Sequence, residues 1–237
     1  NLFNINIMKP VQLFEEFINE GRGKYDSIAG SLVRKIFPQW VKDWKSGKKS
    51  SSFMAYIDEP RIKFDLEATI YFGKVKGFEV LSSTGADGRA FDDDGDDQDP
   101  YIIIDFAVNP EWLPGYWQEV YMHLSDVMRH EMEHITQDGK EVGNYKPGKP
   151  DEDDSMMRML IQSGVLPHVM YLTLPKEIDA NIQGLRYEAK KRKIPMIDAV
   201  NNYLDTQTYL QEDPSQRQMV LDTWRRRAAE IGGIPKF

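Results

Sequence analysis

Apolar residues fall at helical spacing in the opening stretch MKPVQLFEEFINEGRGKYD, where Leu13, Phe14, Phe17 and Ile18 share a face and Gly21 and Gly23 follow as stops. The pattern predicts a short amphipathic helix that serves as a docking arm for a partner. A second helical stretch, Ser27 to Lys45, carries Ile28, Leu32, Ile36, Trp40, Val41 and Trp44. It should be interrupted near Pro38, and it ends in the polar run KSGKKSSS. From Phe53 to Val108 the period changes. The segments FMAYI, IKFDLEATIYFG, FEVLSST and YIIIDFAV are β-branched and aromatic runs bounded by turn residues, and they predict a sheet of about four strands. Helical spacing returns at Gln118 to Thr136 and recurs at Ser155 to Ser163, Lys176 to Lys191, Met196 to Leu210 and Ser215 to Ile231, with Gly and Pro as punctuation. Strands followed by helices predict an α+β fold: a small mixed sheet packed on the Gln118 to Thr136 helix, with a helical part after it. The expected organisation is an N-terminal helical arm over residues 1–50, a core over 51–191 and a C-terminal helical extension over 192–237.

Composition narrows the chemistry. The 237 residues are 41% hydrophobic and 29% charged, with a formal charge of −8, so neither nucleic acid nor an anionic membrane is the expected partner. There is no cysteine, which removes disulfides, thiolate ligands and cysteine nucleophiles, and any transition metal must then sit on His, Asp or Glu. No apolar run approaches the roughly 20 residues that cross a bilayer, so a cytoplasmic chain is expected. The chain opens on Asn1 with Met8 as an internal start candidate, which leaves room for an upstream segment. The acidic stretch GADGRAFDDDGDDQDP resembles a calcium loop in composition only. With Gly95 as the loop glycine, Ala90 would be the first ligand and Tyr101 the last, so a solvated loop is the expectation.

The segment RHEMEHITQD, residues 129–138, changes the picture most. Trp117, Val120, Leu124, Val127, Met128 and Ile135 form the expected buried stripe of its helix, and His130 and His134 lie together on the flank one turn apart. Two imidazoles at that spacing converge on one ion, and H-E-x-x-H on a helix is the pattern of a zinc site with the glutamate, here Glu131, as general base. A catalytic zinc takes a third protein ligand. In LPKEIDANIQGLRYEAKKRK, a buried stripe of Ile178, Ile182, Leu185 and Ala189 puts Glu177, Asn181, Gly184 and Glu188 along the adjacent face. Asp179 points nearly opposite, and Gly184 would let this helix approach the histidine helix closely. Glu177 also follows Pro175 in the first turn, where the helix dipole favours a carboxylate.

HEMEH followed 43 residues later by EIDANIQGL resembles the gluzincin metallopeptidases, in which H-E-x-x-H is completed by a Glu in a later helix of pattern E-x-x-A or E-x-x-x-D. The resemblance implies a zincin-like fold, Zn²⁺ held by His130, His134 and Glu177, Glu131 as catalytic base and Ala180 as the small packing residue. Asn181 stands where the second pattern has Asp, so it can accept a hydrogen bond from an imidazole but supplies no charge. The resemblance extends to YIIIDFAV, which would be the edge strand above the site that pairs with an extended peptide substrate. The expected function is zinc-dependent peptide hydrolysis, acting on a partner protein during assembly. The oxyanion stabiliser stays open among Tyr187, Arg186, His168 and Tyr171, while Glu188 is expected to be solvated or paired with Arg192. A different class also fits: a structural or interaction protein on a zincin scaffold with a structural or vestigial metal. LFEEFINEGRGKYD resembles the N-termini of small proteins of large tailed bacteriophages, which would place the chain in a virion.

Overall fold

The computed structural model describes residues 8–60, 62–75, 78–85, 100–137 and 152–237, and of 8–24, 78–85, 137 and 152–155 it describes the backbone alone. Helix α1 (Met8–Lys45) is followed by β1 (Ser50–Glu59), β2 (Ile62–Phe72), β3 (Phe78–Gly85) and β4 (Tyr101–Val108). Then come α2 (Trp117–Gln137), α3 (Glu152–Gln162), a 3-10 stretch (His168–Thr173), α4 (Pro175–Arg192), α5 (Met196–Thr206), the short α6 (Thr208–Glu212) and α7 (Pro214–Ile231). The fold is α+β with a small mixed sheet and a mostly helical remainder.

The sheet order is β1-β2-β4-β3. β1 pairs antiparallel with β2, β2 pairs parallel with β4, and β3 pairs antiparallel with β4. Alternation, broken in β2 by the buried Thr69, explains which face is buried. Ile62, Phe64, Leu66, Ala68 and Ile70 of β2, and Ile102, Ile104, Phe106 and Val108 of β4, turn inward and are buried, while Lys63, Asp65, Glu67, Asp105 and the exposed Tyr71 and Tyr101 lie on the opposite side. Inside, Ile28, Leu32, Ile36 and Trp40 of α1 and Val120, Leu124, Met128 and Ile135 of α2 complete one core with the sheet. A second core lies on the far side of α4, where Ile178, Ile182, Leu185 and Ala189 meet Val169 and Leu172, Val200 and Leu204, and Val220 and Trp224. The Trp224 indole N–H donates to the Leu172 carbonyl at 2.7 Å and ties α7 to the 3-10 stretch. α4 is thus buried on two sides, one stripe in the second core and the adjacent one against α2.

Three expectations change. The N-terminal region is one continuous helix and not two: it runs through Gly21, Gly23 and Pro38. Propensity penalties of about 1 kcal/mol per glycine, and the bond lost at proline, yield to the apolar stripe that its second half buries in the core. The side chains of the predicted docking face, Leu13 to Ile18, lie outside the described residues, as does most of the acidic stretch, residues 86–99. Second, Met196 to Leu210 divides into α5 and α6 at Gln207. Third, YIIIDFAV is not an edge strand. β4 is paired on both sides, and the edges are β1 and β3. Chain order misleads here because β4 returns between β2 and β3, a placement no local pattern encodes. Among the described residues no helix is long and apolar enough to cross a membrane.

Candidate metal centre

α2 and α4 supply the centre. His130 and His134 stand one turn apart on α2, beside the buried Met128, Met132 and Ile135, and keep 19% and 16% of their side chains exposed. The Glu177 carboxylate, 3% exposed, meets them from the first turn of α4. His130 Nε2 and His134 Nε2 are 3.2 Å apart, Glu177 Oε1 is 3.5 Å from His134 Nε2, and Glu177 Oε2 is 3.7 Å from His130 Nε2. One ligand atom from each residue falls within 4.8 Å of the other two. Ligands about 2.0–2.2 Å from a tetrahedral ion lie about 3.3–3.6 Å from one another, so these separations are close to those of a zinc triad. The donor set, two imidazoles and a carboxylate with no thiolate, is also that of a catalytic zinc site. Among the described residues this is the group that could hold a metal ion.

The electrostatics favour ligation. Burial pushes the His130 imidazole below its ordinary value despite the opposing attraction of Glu177 and Glu133, which keeps its lone pair available for a metal. Burial would raise Glu177, but the attraction of His134, His130 and Arg158, with a hydrogen bond from Tyr171, more than reverses this and holds the carboxyl low. Of these three neighbours, Arg158 is the one whose positive charge does not depend on pH.

Two helix contacts fix the approach of α4. Gly184 faces α2 where a β-carbon would crowd Asp126 and His130, the role expected of it. At the other end, Arg192 of α4 makes a two-pronged contact with Glu119 of α2, Nη2 to Oε2 at 2.7 Å and Nη1 to Oε1 at 3.2 Å, and its Nε donates to Glu188 Oε1 at 2.6 Å. Glu188 is therefore the paired, buried residue and has no reach to the centre. Asp179 is also accounted for: both its oxygens lie 2.6 Å from the Arg227 guanidinium of α7, on the side away from Glu177.

Glu131 follows His130 on α2 and is buried, 3% exposed. Asn181 is buried too, but its amide donates to the Glu177 carbonyl at 2.8 Å and so braces the turn that carries the carboxylate. Of the four electrophile candidates, two are elsewhere. Arg186 chelates Asp26, and Tyr187 lies with Lys191 beside Gly30. Tyr171 is at the centre, where Arg158 Nη1 donates to its hydroxyl at 3.3 Å, and His168 stacks on the Tyr171 ring at 6.1 Å. Sequence reasoning missed Arg158, whose Nη2 donates to Glu177 Oε1 at 2.9 Å. Its one signal was a lone cation inside the apolar run MMRML. The chain matches no family model, no curated protein and no solved structure.

Proposed function

We propose that the chain is a zinc-dependent peptidase of gluzincin type on a zincin-like core, cleaving a peptide or protein substrate. The observation that carries this reading is the convergence of His130, His134 and Glu177, brought together from two helices at tetrahedral spacing. When bound there, zinc supplies Lewis acidity, polarising a carbonyl and lowering the pKa of water toward about 7. The chain's own residues supply the rest. Glu131 takes the proton of the attacking water and returns it to the leaving amine. Asn181 and the first turn of α4 hold Glu177 in place, and Gly184 sets the distance between the two helices. For an extended substrate, the strands open to pairing are the two edges, β1 and β3, and β3, which packs against the histidine helix α2, takes the role expected of β4.

The test is zinc content together with cleavage of a mixed-sequence peptide pool. Wild type should hold one zinc and cleave. Glu131→Gln should hold the same zinc and cleave roughly 10² to 10⁴ times more slowly, since a general base is worth about that much. Zinc without any cleavage that depends on Glu131 would leave the structural or virion-protein reading. No zinc would remove the peptidase reading.

A further inference from the structure

We infer that the outer face of the sheet and the open edge of β1 form a docking site for an extended segment of a partner protein that carries arginine or lysine at alternate positions. This face is turned away from α1 and α2, so the inference does not rest on the metal centre. Of the nine large apolar side chains exposed among the described residues, four stand on it: Met54, Tyr56, Tyr71 and Tyr101. That concentration on a single face marks an interaction surface, where scattered residues would not.

Strand register arranges the face in rows. Tyr56, Asp65 and Tyr101 lie side by side across β1, β2 and β4, and Met54, Glu67 and Ile103 form the next row. β2 therefore lays two carboxylates along the floor of a groove of about 460 Å³, with Tyr56 and Met54 on one wall and Tyr101 and Ile103 on the other. Asp58 is matched by Lys63 at 2.9 Å, but Asp65, Glu67 and Asp105 have no ion pair among the described residues. Acids flanked by tyrosine faces and apolar walls suit a long cationic side chain, whose methylene stem packs on the walls while its head meets carboxylate and ring. Other occupants fit less well. A nucleic acid or an anionic membrane is repelled by the unpaired acids, and so is the same face of a second copy. A metal ion lacks a ligand set here, since the converging groups among the described residues are His130, His134 and Glu177.

The neighbouring edge sets the spacing of the cations. β1 pairs with β2 alone, so its other side is open to strand addition. Gln39 Nε2 already donates to the Ser52 carbonyl at 3.0 Å, so the pairing stretch is residues 53–59. A strand added there places alternate side chains on the outer face, beside Met54 and Tyr56. Asp65 and Glu67 then lie two strand spacings away, about 10 Å. Arginine and lysine span that distance across the Tyr56 ring and the Met54 side chain, and shorter side chains do not.

The probe is an eight-residue peptide of alternating arginine and threonine, blocked at both ends and labelled with a fluorophore, titrated with the full chain and read by anisotropy. Wild type should bind it, and should bind a peptide of the same composition with its arginines in one block more weakly. Asp65→Asn with Glu67→Gln should weaken binding about five- to thirtyfold, the loss of two exposed ion pairs. Tyr56→Ala should weaken it about two- to fivefold, the loss of one exposed cation–π contact. Glu212→Gln with Glu230→Gln, which removes the same charge from α6 and α7, should change it less than about twofold. Backbone amide NMR of the wild type, which needs no variant to fold, should show shifts concentrated at residues 53–59 and 65–67. No binding by wild type, equal binding of the block peptide, equal losses in the two charge-matched double variants, or amide shifts elsewhere would each overturn the inference. A dimer seen by sedimentation in wild type and lost in Asp65→Asn with Glu67→Gln would overturn it too, and would assign the face to a second copy.

Discussion

Gly184 of α4 and His130 of α2 touch across the helix seam. A β-carbon on Gly184 would stand 3.3 Å from the His130 β-carbon, 3.2 Å from the Asp126 carbonyl oxygen and 2.5 Å from Asp126 Oδ1. The Asp126 carboxyl could swing away, but the backbone oxygen and the histidine β-carbon move only with α2 itself. Gly184→Ala should therefore push the two helices apart and carry His130 away from Glu177. Overpacking of this kind costs about 1–3 kcal/mol. Denaturant unfolding of the metal-free protein should show that loss, and chelator competition should show weaker zinc binding. Unchanged zinc affinity would mean that the seam relaxes without disturbing the centre.

Asp26 holds α1 to the same pair of helices. Its Oδ1 is 3.2 Å from Arg129 Nε of α2, and the Arg186 guanidinium of α4 bonds both carboxylate oxygens at 2.9 and 3.0 Å. Arg129 Nη2 lies 2.7 Å from Glu133 Oε2 but out of line for a hydrogen bond, and Nη1 has no partner among the described residues. Removing the acid leaves a fully buried guanidinium short of its main anion. Asp26→Ala should cost about 3–5 kcal/mol, the range for breaking one half of a buried pair. Asp179→Ala, which breaks the more exposed contact with Arg227, should cost about 1 kcal/mol or less. Equal effects in urea unfolding would argue against the Asp26 hub.

The element types were legible because strands of period two and helices of period 3.6 write themselves into the chain. The four strands and α2 to α4 fall close to where Phe64, Ile104, Leu124 and Ile182 place them. The histidine pair was legible because i and i+4 lie on one helix face. Glu177 over Asp179 followed from the α4 stripe, and the structure turns the two acids to opposite sides. What stayed hidden depends on tertiary placement. β4 looks the same whether it lies at an edge or in the interior. Gly21, Gly23 and Pro38 read as breaks because the burial that overrides them involves the sheet. Arg158 meets Glu177 through a turn and a 3-10 stretch that have no periodicity to extrapolate.

The metal ligands and the general base should separate in a thermal experiment. A ligand that binds only the folded chain stabilises it by about 2.7 kcal/mol at a hundred times its Kd. For a chain of this size that is roughly 5–10 °C in melting temperature. Zinc should produce that shift in wild type and in Glu131→Gln, since Glu131 is not among the converging ligand atoms. The shift should vanish in His134→Ala and Glu177→Ala. A full shift in Glu177→Ala would show that another residue completes the site.

Asp126 gives the fold a pH dependence that can be measured without metal or substrate. Its carboxyl lies against Gly184 between α2 and α4. Burial first, and then the negative charge of Glu188, pushes its pKa well above the usual carboxylate range, while Arg192 pulls the other way and is outweighed. A group that holds its proton more tightly in the folded than in the unfolded chain makes stability fall as pH rises. The fall begins near the unfolded value of 3.8 and continues up to the raised folded value. Below that window both states carry the proton and Asp126 imposes no cost. Asp126→Asn keeps the shape and stays neutral, so it should melt above wild type at about pH 8, with the gain shrinking toward about pH 4. Glu188→Gln removes one of the two causes and should reduce the pH dependence of the wild type. A gain that ignores pH, or a loss at about pH 8, would mean that the carboxyl is ionised in the fold and that Arg192 holds it there.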